Sequence, residues 1–552
     1  MNYKKLSVLL LGIFITGHSF AQTEAQLQRW YQLDYKKDTF YGISLDQAYD
    51  FLKNRKPVEV VVGVVDSGID TAHRELKNIL WVNKKEKKGN KKDDDRNGYV
   101  DDIHGWNFLG NADGTNVNKE VDEETRLYYQ LKDKYLGKTI DSSKLSQAEA
   151  HEYEIWKIAY KKFSGYNVAE NERILENFKE SMEGLNFGDS ILRNRLNKEE
   201  FSVKDLRAAA IMDMTGFQMK NAYLSFTDQF KLPEEFTNKQ LLADFKSEKE
   251  RLEKEIKNHT VAPPRYRDEI VKDNYRDFQD RYYGNNDLMA EEAEHGTHVS
   301  GIIAADRNNN FGIKGIADKA RIMTLRAVPD GDEYDKDVAL SIIYAVNNGA
   351  KVINMSFGKR VSPEKYWVDS AFNYAAQKDV LLVHAAGNDN KNIDSVDNFP
   401  NADLKAFGNK RAANLITVGA SSDPRVDGGN MVAVFSNYGV KNVDVFAPGY
   451  KIYSTLPGKD SLGFQSGTSM ASPVVAGIAA LIRSYFPKLT ALEVKDVIER
   501  SVFYPADTVK VNMPGNDEKK VTLKQLSRTG GIVNAYNAVK LAAKLEETKN
   551  IN

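Results

Sequence analysis

Residues Val474 to Ile482 read Val-Val-Ala-Gly-Ile-Ala-Ala-Leu-Ile, apolar on every side. A helix without a polar stripe has no face to give to water, so it needs a core large enough to enclose it. Just ahead stands Gly467-Thr468-Ser469-Met470-Ala471-Ser472-Pro473. That places a hydroxyl at the mouth of the helix, among small residues that let another backbone approach. The first N–H groups of a helix are unpaired and its dipole favours negative charge there. A serine at such a place is ordinarily a cap, so its meaning depends on whether a base and an acid occur elsewhere.

Both do. Val60 to Val65 is a strand-like apolar run that ends at Asp66, and Ser67-Gly68-Ile69-Asp70 turns the chain. A carboxylate at the end of a buried strand is costly unless a donor meets it. His295-Gly296-Thr297-His298-Val299-Ser300-Gly301 supplies an imidazole ahead of another apolar helix. Taken singly, Asp66 reads as a turn residue and His295 as a helix-start residue. Taken together, the three segments carry the residue types that acyl transfer needs.

These three stretches resemble the signature motifs of the subtilisin family of serine proteases, and their order Asp, His, Ser is that family's order. The resemblance covers roughly residues 55–110 and 290–545. It implies that Ser469 is the nucleophile, His295 the general base and Asp66 the residue that orients the imidazole, with His298 structural. Val380 to Asp389 is similar to the family's oxyanion segment, with Asn388 as side-chain donor. Val352 to Gly358 is similar to the segment that walls the substrate pocket. By that likeness Ser356, Phe357 and Gly358 would pair with an extended peptide, with Ala385, Ala386 and Gly387 as the opposite wall. Small walls suggest a weak preference for bulky apolar residues. Lys359 stands where the family usually has a second glycine, which bears on the width and charge of the pocket.

Strands and helices alternate from Val58 onward, the pattern of an α/β domain with a parallel sheet. The expected fold is a subtilisin-like three-layer domain, a central parallel sheet flanked by helices and interrupted by a mainly helical insertion. Between Asp66 and His295 the composition shifts to charged segments with apolar residues at helical spacing. The expected organisation begins with a signal peptide over 1–21 and a short segment over 22–57. The protease domain then occupies 58–110 and 290–545, split by the insertion over 111–289, and a tail follows over 546–552. The insertion leaves and re-enters between acid and base, which suggests a lid or exosite beside the site, or else a purely stabilising role. An alternative reading keeps the subtilase fold but makes it catalytically restricted or inactive, with the insertion as a binding module.

Met1 to Ala21 has a basic start at Lys4 and Lys5, an apolar stretch and a small-residue exit. These are the marks of a secretory signal, hence an expected periplasmic or secreted protein with no membrane attachment after signal removal. The chain has 77 basic and 78 acidic residues and no cysteine. That balance gives no reason to expect a nucleic-acid partner, and no disulfide framework exists. The expected partners are peptide or protein substrates, bound as extended strands. No cofactor is required for the chemistry, but calcium is a candidate structural ion. Asp93, Asp95, Asn97 and Asp101 cluster hard oxygen ligands around a glycine turn. Glu75 and Asn309 occupy places similar to a family calcium site.

Overall fold

The computed structural model describes residues 23–551 apart from 231, 290, 292, 507 and 508. The signal peptide expected over 1–21 lies outside the described residues.

Seven strands form the central sheet: β1 (Val60–Asp66), β2 (Gly105–Asn107), β3 (Ala320–Arg326), β4 (Val352–Met355), β5 (Leu381–Ala385), β6 (Leu415–Ser421) and β7 (Val445–Pro448). Their order is β2-β3-β1-β4-β5-β6-β7, and every neighbouring pair is parallel. Alternation along each strand divides the core. Val60, Val62, Val64 and Ile322 pack into one apolar cluster. Val65, Met323, Leu325 and Ile353 pack into another on the opposite face, as the two-residue period of a strand requires. Both faces are covered, so the strands read as nearly continuous apolar runs.

The helices of eight residues or more are α1 (Leu45–Leu52), α2 (Glu123–Tyr135), α3 (Gln147–Ser164), α4 (Val168–Leu196), α5 (Met214–Gln229), α6 (Asn238–Thr260), α7 (Glu294–Ala304), α8 (Asp335–Asn347), α9 (Lys365–Gln377), α10 (Thr468–Tyr485), α11 (Ala491–Arg500) and α12 (Ala535–Ile551). Helices α7, α10, α11 and α12 cover the first face and α8 and α9 the second. Of the residues of α10, Ser469 alone is not buried. Pro473 lies inside this helix and brings no N–H to the carbonyl of Ser469. The hydroxyl of Ser356 takes over, donating to that carbonyl at 2.9 Å.

Three of the expected boundaries move. The 22–57 segment is built into the core: Trp30, Tyr31, Phe40, Ile43 and Leu45 are each at most 1% exposed, and the Trp30 indole donates to the Lys451 carbonyl at 3.1 Å. Residues 546–551 are not a free tail, because α12 runs to Ile551 and Lys549 pairs with Glu493. The flanks of the insertion belong to the core. Asn107 and Asn285 exchange backbone hydrogen bonds, and Val117, Val271 and Tyr283 join the second cluster. The projecting lobe is therefore α2 to α6, which has apolar clusters of its own around Leu131 and Trp156 and around Leu192, Phe201 and Tyr223.

Buried ion pairs fasten this lobe. Lys359 donates to Glu123 at 2.7 Å and to the Glu333 carbonyl at 2.8 Å, and it lies 3.0 Å from Asp335. In the flank that follows α6, Arg267 pairs with Asp337 at 2.7 Å, with both side chains at or below 5% exposure. Lys359 is thus turned away from the cleft, and its charge is spent on the first turn of α2.

Candidate active site

Three elements meet at one edge of the sheet, at the carboxyl ends of the strands, where crevices form in parallel sheets. Asp66 is the last residue of β1 and is 2% exposed. Its Oδ1 accepts from the Ser67 N–H at 2.8 Å and from His295 Nδ1 at 2.7 Å. His295 sits in the first turn of α7, with its side chain 38% exposed. Gly296 makes that approach possible, since a Cβ there would lie 2.0 Å from the Gly68 carbonyl and 3.1 Å from Asp66 Oδ1. Burial works against the charged imidazole, but the adjacent Asp66 charge and hydrogen bond outweigh it, and the His295 pKa is raised. The Asp66 contact commits Nδ1 as the donor and leaves Nε2 as the base in the neutral ring.

Ser469 stands in the first turn of α10, which packs against α7. Its hydroxyl donates to the Ser356 carbonyl at 3.1 Å; no hydrogen bond joins it to His295 among the described residues. A buried chain locks this corner: Ser472 donates to Asn354 at 2.7 Å and Asn354 to the Ser356 hydroxyl at 3.0 Å. Asn388 follows β5. Its Oδ1 accepts from the Thr468 N–H at 2.8 Å and the Thr468 hydroxyl at 2.9 Å, which leaves the NH2 group as a donor. A Cβ at Gly467 would lie 3.5 Å from both Asn388 Nδ2 and the Ser469 backbone nitrogen. Two donors therefore converge on one small space beside the hydroxyl.

The remaining histidines of this region are spectators. His298 is fully buried, bonded to the carbonyls of Ile452 and Gly463 at 3.0 and 3.2 Å, and burial pushes its pKa down to about 4. His384 lies beneath the Phe357 carbonyl at 2.8 Å, and burial holds it at about 4 too.

The cleft wall Ser356–Gly358 presents the Gly358 N–H and carbonyl without partners among the described residues. On the other side, Ala385 and Ala386 are buried, 3% and 0% exposed, and stand behind the wall. The side chain facing the space is Asn398, which sequence reasoning misses. Its Oδ1 lies 3.2 Å from a Cβ at Gly358 and 3.5 Å from one at Gly387, while its Nδ2 donates to the Ala386 carbonyl at 3.1 Å. Asn398 thus places a carboxamide between Gly358 and Gly387. The only local signal is an asparagine before an aromatic-proline pair.

The two places expected to hold a cation are arranged differently. At the first, a ligand oxygen from each of Glu86, Asp93 and Asp95 lies within 4.8 Å of the others. Glu86 Oε1 accepts from the Asp94 and Asp95 N–H groups, while its Oε2 is buried without a partner. Calcium favours such all-oxygen surroundings. Glu86 lies outside the motif that marks this turn in the sequence, and Asp101, which lies inside it, does not join the cluster. The Asp101 carboxylate is taken up by the N–H groups of Gly89, Asn90 and Lys91. Asn97 spends its carbonyl on the Tyr99 N–H and its amide on Asp102. At the second place Asn309 donates to Glu75 at 2.8 Å. Glu75 Oε1 is buried and unpartnered, and burial raises its pKa to about 7.

The sequence profile of the subtilase family, peptidase S8, matches residues 204–531, more than half of the chain. The protein belongs to the subtilase family. The match contains His295, Asn388 and Ser469, and Asp66 lies upstream of it, beyond the insertion. The chain is 38% identical over 269 residues to the thermophilic serine proteinase of Bacillus sp. (strain AK1), covering 48% of this chain and 55% of that protein. It is 37% identical over 226 residues to the cell wall-associated protease of Bacillus subtilis (strain 168), covering 41% and 23%. With thermitase of Thermoactinomyces vulgaris the identity is 38% over 221 residues, covering 39% and 72%. The chain thus spans about half the length of the first of these relatives and about a quarter of the second.

Proposed function

We propose that the protein is an exported serine endopeptidase, acting in the periplasm or outside the cell, that hydrolyses polypeptides through an acyl-enzyme. One observation carries the reading: the 2.7 Å Asp66–His295 contact beside the one unburied residue of α10. In the proposed reaction the Ser469 hydroxyl turns from the Ser356 carbonyl to His295 Nε2. It attacks the scissile carbonyl carbon as its proton passes to that nitrogen. Asp66 holds the tautomer and stabilises the imidazolium. The developing oxyanion is held by Asn388 Nδ2 and the Ser469 N–H, fixed dipoles that need no reorganisation. His295 then protonates the departing amine, and water releases the acyl group by the same steps in reverse.

The substrate is an extended polypeptide, paired along Ser356–Gly358 at the free Gly358 groups. No cofactor is needed for the chemistry, and calcium at Glu86, Asp93 and Asp95 would serve stability alone. The leading residues 1–21 support export. Among the described residues, no helix is long and apolar enough to cross a membrane.

Hydrolysis of denatured protein by the purified chain and its Ser469→Ala variant tests the reading. Turnover is expected to fall about 10⁶-fold, the loss known for subtilisin itself. Equal activity in both proteins would refute it.

A further inference from the structure

Helices α4, α5 and α6 of the lobe line an open groove of about 660 Å³, within the size range of small-ligand sites. Its walls are apolar, among them Phe178, Leu192, Met219, Phe226, Leu241 and Phe245. Phe230, 57% exposed, also lines it.

Three features set it apart from a packing defect. First, Gly184 and Gly188 both line it from the interior of α4, although glycine is the poorest helix former after proline. Gly188 has a packing reason, because a Cβ there would meet Met219 Sδ at 3.3 Å. Gly184 has none, since nothing lies within 4 Å of its would-be Cβ. Second, Tyr223 lines the groove at 6% exposure, and its hydroxyl has no hydrogen-bond partner. Buried tyrosine hydroxyls usually find one. Burial also raises its pKa, so the group stays a neutral donor. Third, the charged side chains in the lining are Asp189, Asp244 and Glu248, with no cation among them. Asp189 is satisfied by Arg193 and Asn238, and Glu248 pairs with Arg251. Asp244 is exposed and has no ion-pair partner among the described residues.

We propose that this groove is an exosite for a substrate polypeptide that presents an aromatic or long aliphatic side chain beside a lysine or arginine. The apolar group would fill the space left by Gly184. Its cation would meet Asp244, which stands exposed beside the apolar walls. The proposal rests on the endopeptidase reading for the role of the bound segment, but binding itself does not require turnover.

The test uses the full chain carrying Ser469→Ala and a fluorescein-labelled nonapeptide with a central Phe-Lys, followed by polarisation. Gly184→Leu, which fills the groove and improves helix propensity, is expected to weaken binding at least tenfold without lowering the melting temperature. Asp244→Lys, a surface change, is expected to weaken it at least threefold, and a Gly-Glu peptide is expected not to bind. Binding unaffected by Gly184→Leu and Asp244→Lys would overturn the proposal, as would no binding by the parent chain or tighter binding of dodecanoate, the lipid alternative. Cleavage of a tripeptide anilide by the unsubstituted protein reports catalysis separately, so failure of the exosite and failure of the endopeptidase reading give different results.

Discussion

Lys359 joins the lobe to the body of the molecule through a buried charge. Its side chain is 1% exposed. Its ammonium meets Glu123 at 2.7 Å, Asp335 at 3.0 Å and the Glu333 carbonyl at 2.8 Å. Burial alone would make the ammonium give up its proton, but Asp335, Glu123 and Glu333 outweigh burial and hold its pKa well above the ordinary value. Lys359→Met would leave these carboxylates unequally placed. Glu123 keeps Arg126 at 2.6 Å. Asp335 keeps only its neutral donors, the Ser362 hydroxyl and the Glu364 N–H, each at 2.9 Å. Removing one partner of a buried pair costs about 3–5 kcal/mol. With Glu123 still paired, the lower end applies, about 3 kcal/mol, or roughly a hundredfold in the docking equilibrium. Hydrogen–deuterium exchange on the Ser469→Ala chain measures this locally. The amides of α2 should exchange roughly a hundredfold faster, whereas those of α10 should be unchanged. Adding Asp335→Leu should recover most of the loss, because an apolar replacement of the whole pair is close to neutral. Exchange in α2 that changes less than threefold would refute the argument that this pair fastens the lobe.

Further outcomes follow from the site. Because Asp66 raises the His295 pKa, the neutral base is lost as pH falls. The acidic limb of kcat/KM should therefore lie above the ordinary histidine value of about 6.5, and Asp66→Asn should move it to lower pH while cutting kcat about 10⁴-fold. A limb unmoved by that substitution contradicts the assignment. Asn398→Gly should open the space between Gly358 and Gly387 and raise cleavage after phenylalanine relative to alanine by roughly tenfold; an unchanged ratio on matched peptide anilides would remove Asn398 from the pocket. Chelation should lower the melting temperature of the parent chain by several degrees and that of Glu86→Gln by less, with about 1 kcal/mol corresponding to a few degrees; identical shifts would exclude Glu86 as a ligand. Burial pushes Glu333 and Glu364 up to about 8 and about 7. The stability they contribute is therefore present below about pH 4.5 and lost as pH rises through 7 to 8. Urea midpoints of Glu364→Gln that fall just as steeply would count against this.

Local features make much of the site legible in the sequence. An all-apolar helix with one hydroxyl at its mouth is visible in Val474–Ile482 and Ser469. A carboxylate that ends an apolar run is visible at Asp66. The strands β1, β4 and β5 are legible because burial on both faces makes them continuous apolar runs. What escapes is set by contacts distant along the chain. Asn398 faces Gly358 only because the strand ends bring them together. Glu86 is an ordinary surface glutamate in sequence, and its backbone contacts with Asp94 and Asp95 make it a ligand candidate. Lys359 reads as an alteration of the pocket because its partners, Glu123 and Asp335, lie 236 and 24 positions away. The 22–57 segment reads only as a short stretch ahead of the first core strand, although Trp30 and Phe40 belong to the core. Its pattern is too short for periodicity to separate a docked segment from a free one.

Mass mapping of the adduct formed with a serine-reactive phosphonate addresses the central claim most directly. One adduct on Ser469 is expected, lost in His295→Ala and much slower in Asp66→Asn at neutral pH. An unlabelled parent chain, or equal labelling in the parent and His295→Ala proteins, would contradict it.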